Sequence, residues 1–374
     1  MFLLACTPSV ENVEDVDVDS VFDADTSVEH APGAPEVFDP NTVHTLVLTV
    51  EDLQPLRDEP REWVHATVVF DDITLSDVGL RLKGSSSFQP VDEKPAFKVK
   101  LDEYVPGQRL LGLERLTLNN EVWDPTMLAE TMGYRAFREN GSMAPRTGYV
   151  AVTLNDRYLG LYALLESMDE GFLKQNDAVG GAIWEMTRNC DFDGDCTCFE
   201  PQEGESEAIY GGCVSPEAFD LDRLVAFLAV EQAVNHPDSY SWNLNNFFVV
   251  ADAEGALSLS PWGADSTFIY AYPPSKPNPD CEPIHLDVDS RAHKGMLRSW
   301  CETDSACSAA YAQKMLGIAD WMEEVDLVGE MQRTRTMLDA YAPLETHVNW
   351  TLDDREARSD CFEEWTAARP DELR

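Results

Sequence analysis

Asn235-His-Pro-Asp-Ser-Tyr-Ser-Trp-Asn-Leu-Asn-Asn-Phe-Phe-Val-Val250 leads through a short turn to Leu257-Ser-Leu-Ser-Pro-Trp-Gly-Ala-Asp-Ser-Thr-Phe268, and this stretch concentrates more chemistry than any other part of the chain. The pattern predicts a helical run ending at Asp238, a polar loop to Asn246, a strand over residues 247–250, a turn at Glu254-Gly255, and a second strand over 256–260 that delivers Asp265 into a loop. Two acids and an amide are thus presented from one hairpin. Such a set suits phosphoryl transfer, in which one carboxylate orients a hydroxyl nucleophile while an Asn and a second carboxylate hold a magnesium ion at the phosphates. The competing reading is that Asn, Asp and Pro simply mark turns.

Composition narrows the choices. A chain of 374 residues with 44% hydrophobic content and nine Trp can bury one large core or two modest ones. Its formal net charge of −42 repels nucleic acid and anionic lipid, so neither is expected as a surface partner. A protein substrate is expected to be basic or neutral, and the protein a monomer.

The nine cysteines fall as one, four and four: Cys6; Cys190, Cys196, Cys198 and Cys213; Cys281, Cys301, Cys307 and Cys361. That distribution fits a secreted chain with four disulfides and one separately used cysteine. Zinc is the alternative, but Cys196-Thr-Cys198 is spaced too closely for the usual site and no His pair completes it. Leu3, Leu4 and Ala5 ahead of Cys6 resemble the lipobox of bacterial lipoproteins. That resemblance implies diacylation of Cys6 and a lipid-anchored protein of the cell envelope, on the outer membrane or cell surface. A chance Leu-Leu-Ala-Cys is the other reading, since the basic and most of the apolar part of such a signal are missing. Residues 7–40 carry ten acids and no Lys or Arg, which predicts an extended spacer to about residue 42. No later apolar run approaches the length of a membrane span.

From residue 43 the sequence predicts folded structure. Strands are expected over 45–50, 62–70, 73–82 and 113–118, then a helix from Asp124-Pro125 to Asn140-Gly141. A hairpin over 149–154 and 158–165 follows, and another strand over 181–185. Arg81-Leu-Lys83-Gly84-Ser-Ser-Ser87 joins basic side chains to a flexible loop that backbone amides could bring to phosphate. Alternation with Phe97, Val99 and Leu101 puts Lys98 and Lys100 on a solvated strand face. Glu130, one turn into the expected helix, could reach a lysine on the sheet or face solvent.

Taken together, Arg81-Leu-Lys-Gly-Ser-Ser-Ser, the Lys94-Pro-Ala-Phe-Lys-Val-Lys100 strand, Leu116-Thr-Leu-Asn-Asn120 before an Asp-Pro helix, Asn155-Asp-Arg-Tyr-Leu-Gly-Leu-Tyr162 running into Leu164-Leu-Glu-Ser-Met-Asp169, and the 235–268 stretch resemble the CotH family of spore-coat-type atypical kinases. The similarity runs in order from residue 45 to 268. It implies an α+β, protein-kinase-like, reduced two-lobed fold, with an antiparallel N-lobe sheet (43–165) and a helical C-lobe (170–374) that carries a disulfide-rich insertion (190–213) and a helical tail (290–374). It also implies metal-dependent transfer of the ATP γ-phosphate to protein Ser or Thr, with Mg2+ or Mn2+.

Carried over residue by residue, the resemblance implies that Asp238 accepts the substrate proton and that Asn246 and Asp265 hold the metal. Arg81, Lys83 and Lys94 would lie near the phosphates, and Glu166 and Asp169 in the hinge that meets adenine. The departure is Trp262-Gly263-Ala264-Asp265. The family has Trp-Asp-x-Asp there, so Gly263 leaves Asp265 to hold the metal alone, or leaves a silent pseudokinase that binds without transfer. Nucleotidyl or amino-acid transfer from ATP is a third reading.

Asp191, Asp193, Asp195 and Glu200 have the oxygen density of a Ca2+ site, the alternative being an acidic loop pinned by disulfides. Apolar periodicity predicts a buried helix after Pro216, and tail helices over 307–324, 327–341 and 353–368 with no assignable chemistry.

Overall fold

Apolar side chains directed inward from seven strands determine the architecture. The computed structural model describes residues 35–186, 189–192, 199–204, 214–268 and 295–374. β1 (Val43–Thr49), β2 (Val64–Phe70), β3 (Ile73–Lys83), β4 (Ala96–Lys100), β5 (Arg115–Asn119), β6 (Thr147–Leu154) and β7 (Arg157–Leu165) form one closed barrel in the order β1-β2-β3-β4-β5-β7-β6. Leu46, Leu48, Val68, Leu80, Leu82, Phe97, Val99, Leu116, Leu118, Val150, Val152 and Leu164 all point into its interior core. Each such side chain contributes about 1.5–3 kcal/mol by leaving water.

The barrel overturns the expected two-lobed, kinase-like fold with its antiparallel N-lobe sheet. β1 pairs antiparallel with β2 (Leu46 with Phe70) and parallel with β6 (Leu46 with Val152), so it is not a free edge. The part expected to be a helical lobe contains a second sheet: β8 (Ala182–Met186), β9 (Phe199–Glu203), β10 (Phe247–Ala251) and β11 (Leu257–Pro261), in the order β11-β10-β8-β9.

The helices are α1 (Gln54–Asp58), α2 (Ala129–Glu139), α3 (Glu170–Gln175), α4 (Leu221–Ala233), α5 (Tyr240–Asn243), α6 (Met296–Thr303), α7 (Ser305–Glu324), α8 (Leu327–Leu338) and α9 (Leu352–Leu373). A second core joins α2 and helices α4 to α9 with the outer face of β6 and β7 through Tyr149, Leu161, Ala163 and Leu165, whereas Leu56 of α1 packs in the barrel core and Phe172 and Leu173 of α3 in a third cluster. These two strands are therefore buried on both faces, which is why Tyr158–Leu165 reads as a nearly continuous apolar run. Helix α2 starts four residues later than expected, at Ala129 after Leu128 instead of at Pro125 after Asp124. Met127 has φ +59°, and the Asp124 carboxylate instead reaches forward to accept from the backbone N–H of Leu128 (2.9 Å) and Ala129 (2.8 Å).

Cys301 and Cys307 are joined by a disulfide at the α6–α7 corner, and Cys190 and Cys361 are disulfide-bonded as well. Cys6, Cys196, Cys198, Cys213 and Cys281 lie outside the described residues. Among the described residues no helix is long and apolar enough to cross a membrane.

Candidate active site

A cavity of about 1250 Å³ is lined by the end of β3, the loop after it, the β5–α2 connection, the 237–248 loop, residues 262–266 and helix α9. On its barrel side, alternation turns Leu80 and Leu82 inward and Arg81 and Lys83 outward, toward the cavity. The Arg81 guanidinium lies 4.5 Å from the Trp63 ring centroid, and its Nη1 donates to the Arg61 carbonyl at 3.3 Å.

Lys83 donates to Asn119 Oδ1, and Asn119 Nδ2 donates to Glu130 Oε1 at 2.6 Å. Lysine and glutamate are thus linked through an amide at the end of β5. Glu130 is 1% exposed, which resolves the choice left open for it in favour of the interior. Burial pulls the Lys83 ammonium down to about 8, against the opposing charges of Glu130 and Asp265.

Acid crowds the other side. Burial and the nearby Glu130 carboxylate push Glu121 well up; burial also pushes Glu130 up. Asp265 rises to about 8, first through burial and then through Glu130 and Asp124. Both Glu121 carboxylate oxygens and Glu130 Oε2 are buried without a hydrogen-bond partner. This surplus of negative charge and unused oxygen is chemistry that a hard divalent cation satisfies. Among the described residues no three His, Cys, Asp or Glu side chains form a closed cage. Mg2+ ordinarily needs none, since it takes one or two carboxylates and completes its shell with substrate phosphates and water. The donor set therefore fits, with Asp265 and the Asn246 carbonyl oxygen as the groups to hold the ion.

Asp238 follows α4 in a loop whose shape depends on residues with φ > 0, Asn235 at +51°, Leu244 at +49° and Asn246 at +53°. Three side-chain amides converge on its carboxylate: Asn243, Asn245 at 3.1 Å and Asn246 at 2.9 Å. Asn246 also donates to the Asp238 carbonyl at 2.9 Å.

Gly263 has φ +56°, and a Cβ there would lie 2.9 Å from Asn246 Cγ. A side chain at 263 would displace the amide that holds Asp238, so the glycine is tied to the position of Asn246. Gly133 acts similarly on α2: a Cβ would come within 2.8 Å of Thr267 Oγ1, so its absence lets the helix approach the loop that carries Asp265.

Below this loop, Glu231 of α4 is fully buried and accepts from the hydroxyl and the backbone N–H of Ser241. Burial pushes it up to about 7. Its folded value exceeds its unfolded value, so its contribution is fully present below about pH 4 and lost as pH rises through about 7. Glu231→Gln, which cannot ionise, is expected to flatten that pH dependence by about 2–3 kcal/mol between pH 4.5 and 7.5, read from urea unfolding of both proteins across the range. Equal slopes would show that Glu231 does not titrate there.

Arg81, Lys83, Asp238, Asn246 and Asp265 are brought together in the cavity, whereas Lys94, Glu166 and Asp169 are not among its lining residues. Lys94 is fully buried in an ion pair with Glu345. Glu166 is clamped by Arg146, whose Nε lies 3.1 Å from Oε2 and whose Nη2 lies 2.5 Å from Oε1. Asp169 caps α3 through the N–H of Gly171 at 2.9 Å, and burial pushes it up to about 6.

Lys98, expected on a solvated strand face, lines the cavity, while Lys100 pairs with Glu103 at 2.9 Å. Of the suggested calcium ligands, Asp193 and Asp195 lie outside the described residues. Asp191 has both oxygens engaged, by the Tyr240 hydroxyl at 2.8 Å and the Met296 N–H at 2.7 Å, and Glu200 is exposed on β9.

Residues 80–210 match the family described as CotH kinase protein. The match covers about a third of the chain, and it is a similarity of this region to that family. The region contains Arg81, Lys83, the Asn119–Glu130 link and β4 to β9, and it ends before the Asp238 loop. A segment of 73 residues is 32% identical to the inner spore coat protein H of Bacillus subtilis (strain 168), covering 20% of this chain and 20% of that CotH protein. The match thus spans about a fifth of that relative's length.

The sequence reading missed Glu121, and it missed Arg358 and Phe362 of α9, which line the cavity outside the matched region. A signal for the last two was present: Arg355, Arg358, Phe362 and Trp365 recur at helical spacing on one buried stripe, and arginine is out of place on such a stripe.

Proposed function

We propose that this protein is a CotH-type kinase that transfers the γ-phosphate of ATP to a Ser or Thr hydroxyl of a protein substrate in this cavity. The observation that carries the reading is the convergence of Lys83, Glu130, Asp238, Asn246 and Asp265, from segments far apart in sequence, on one cavity. A fold supports many chemistries, so the site and the CotH-family match bear the argument and the barrel does not.

In this reading Lys83 binds phosphate oxygen, and Asn119 and Glu130 hold its side chain in place. Asp238, oriented by three amides, accepts the proton of the attacking hydroxyl. Asp265 and Asn246 would hold a divalent ion, Mg2+ or Mn2+, which supplies neutralisation of the phosphate charge. The excess of 69 acidic over 27 basic residues favours a neutral or basic protein substrate. Similarity to a spore coat protein supports a location at the cell surface, and the lipobox-like start supports an anchor at Cys6; the expected spacer cannot extend to residue 42, because Val37 and Phe38 are buried in the barrel core.

A second reading, a silent module that binds nucleotide without transfer, is favoured by Gly263 alone. The test is to incubate the full chain with γ-labelled or α-labelled ATP, divalent metal and a basic protein acceptor, alongside Asp265→Ala. Transfer of the γ label, lowered about 10²- to 10³-fold in Asp265→Ala, is the expected result. Transfer of the α label would replace the reading with nucleotidyl transfer. Nucleotide-induced stabilisation without any transfer would support the silent module.

A further inference from the structure

Helix α9 lies outside the CotH-family match, yet it delivers a charge to the cavity. Among the described residues five basic side chains line the cavity: Arg61, Arg81, Lys83 and Lys98 come from the barrel strands and their connections, and Arg358 alone comes from the helical side.

Arg358 also differs from the other arginines of α9 and its end in having no hydrogen-bond acceptor among the described residues, whereas Arg355 keeps one ion pair although its Nε and Nη2 are buried unpartnered. Arg355 donates to Asp339, Arg369 to Glu372 at 2.8 Å and to the carbonyls of Ala233 and Gln232, and Arg374 to Glu323. Arg358 is 9% exposed, and its Nη1 is buried with no hydrogen-bond partner. The carboxylates whose charges bear on it are Asp124 and Asp354. Asp124 has both oxygens taken by Thr126, Leu128 and Ala129, and Asp354 is engaged with Thr351 in the α9 capping box. A guanidinium held in this way, at a loss of hydration and without a partner, is costly to the free protein. Its planar fork matches phosphate.

We propose that Arg358 forms an anion subsite for a phosphate group of the polyphosphate ligand, opposing the barrel cations Lys83 and Arg81 so that the phosphates are held between the barrel and α9. This rests on the cavity being a phosphoryl-transfer site.

The experiment uses the full chain, Arg358→Met and Arg358→Lys. It measures unfolding without ligand, and calorimetric binding of ATP, adenosine and inorganic tripolyphosphate. Arg358→Met is expected to be at least as stable as the parent without ligand, because it removes an unpartnered buried charge. It is expected to bind ATP and tripolyphosphate roughly ten- to a hundredfold more weakly, with adenosine binding unchanged. Arg358→Lys should fall between the two.

Unchanged affinity for both phosphate ligands in Arg358→Met overturns the inference and leaves the kinase reading intact. A large loss of stability with unchanged affinity also overturns it, making Arg358 a structural strut. If the parent binds tripolyphosphate but not ATP, the kinase reading fails while Arg358 is still judged on tripolyphosphate. If the parent binds neither, both fail.

Discussion

Asp238→Ala is expected to lower γ-phosphoryl transfer by about 10²- to 10⁴-fold while leaving nucleotide binding close to that of the parent. The separation follows from what Asp238 touches. Its carboxylate is held by the amides of Asn243, Asn245 and Asn246, and no Lys or Arg donates to it among the described residues. Its loss therefore removes an acceptor for the hydroxyl proton without removing a phosphate-binding cation. Asp238→Asn isolates charge from shape. It fills nearly the same volume, but its own amide faces three amide donors and offers one acceptor oxygen where the carboxylate offers two. Both variants are expected to be comparably inactive in initial-rate assays with γ-labelled ATP, and both to retain calorimetric ATP affinity. An Asp238→Asn protein that transfers at the parent's rate would remove Asp238 from the role of proton acceptor. A parallel loss of ATP affinity would make it a binding residue instead.

What the sequence disclosed follows the range of the forces involved. Strands and the turn at Glu254-Gly255 are local, so alternation and turn chemistry located β10 and β11 to within about a residue. The convergence of Asp238, Asn246 and Asp265 was legible for the same reason, because one hairpin carries them. Barrel closure was not. It depends on β1 pairing with β6, about a hundred residues away and in parallel, and a strand's own alternation does not say whether its second edge is free. Long-range pairing also explains the fate of Lys94, which matched a phosphate-side motif while its partner Glu345 lay 251 residues downstream. Arg358 was hidden differently. Its helical period was visible, but the object facing that stripe was not.

The Lys94–Glu345 pair carries the second large effect. Both side chains are essentially inaccessible, and Glu345 also accepts from the Leu161 N–H at 2.6 Å. The pair therefore ties the start of β4 and the middle of β7 to the segment between α8 and α9. Glu345→Leu is expected to destabilise the protein by about 3–5 kcal/mol, because it leaves a buried ammonium without its counter-charge. It also orphans the Leu161 N–H. Lys94→Met should cost less, since Glu345 keeps that donor.

Removing both charges, in Lys94→Met with Glu345→Leu, is expected to recover the part of the loss due to the stranded charge, because two apolar side chains of similar size bear no desolvation cost, and to leave the cost of the orphaned Leu161 N–H, about 1–3 kcal/mol. The pH dependence supplies an independent check. Burial already lowers Lys94, and Glu345 is the largest influence opposing it. Without Glu345 the lysine sits still lower when folded than its unfolded value of about 10.4, so the unfolded state binds the extra proton and stability rises with pH toward that value. Urea unfolding at pH 7 and pH 9.5 should show the Glu345→Leu deficit shrinking at the higher pH, and the double variant lacking that trend. A deficit independent of pH would mean that the cost lies in lost packing and not in the stranded charge.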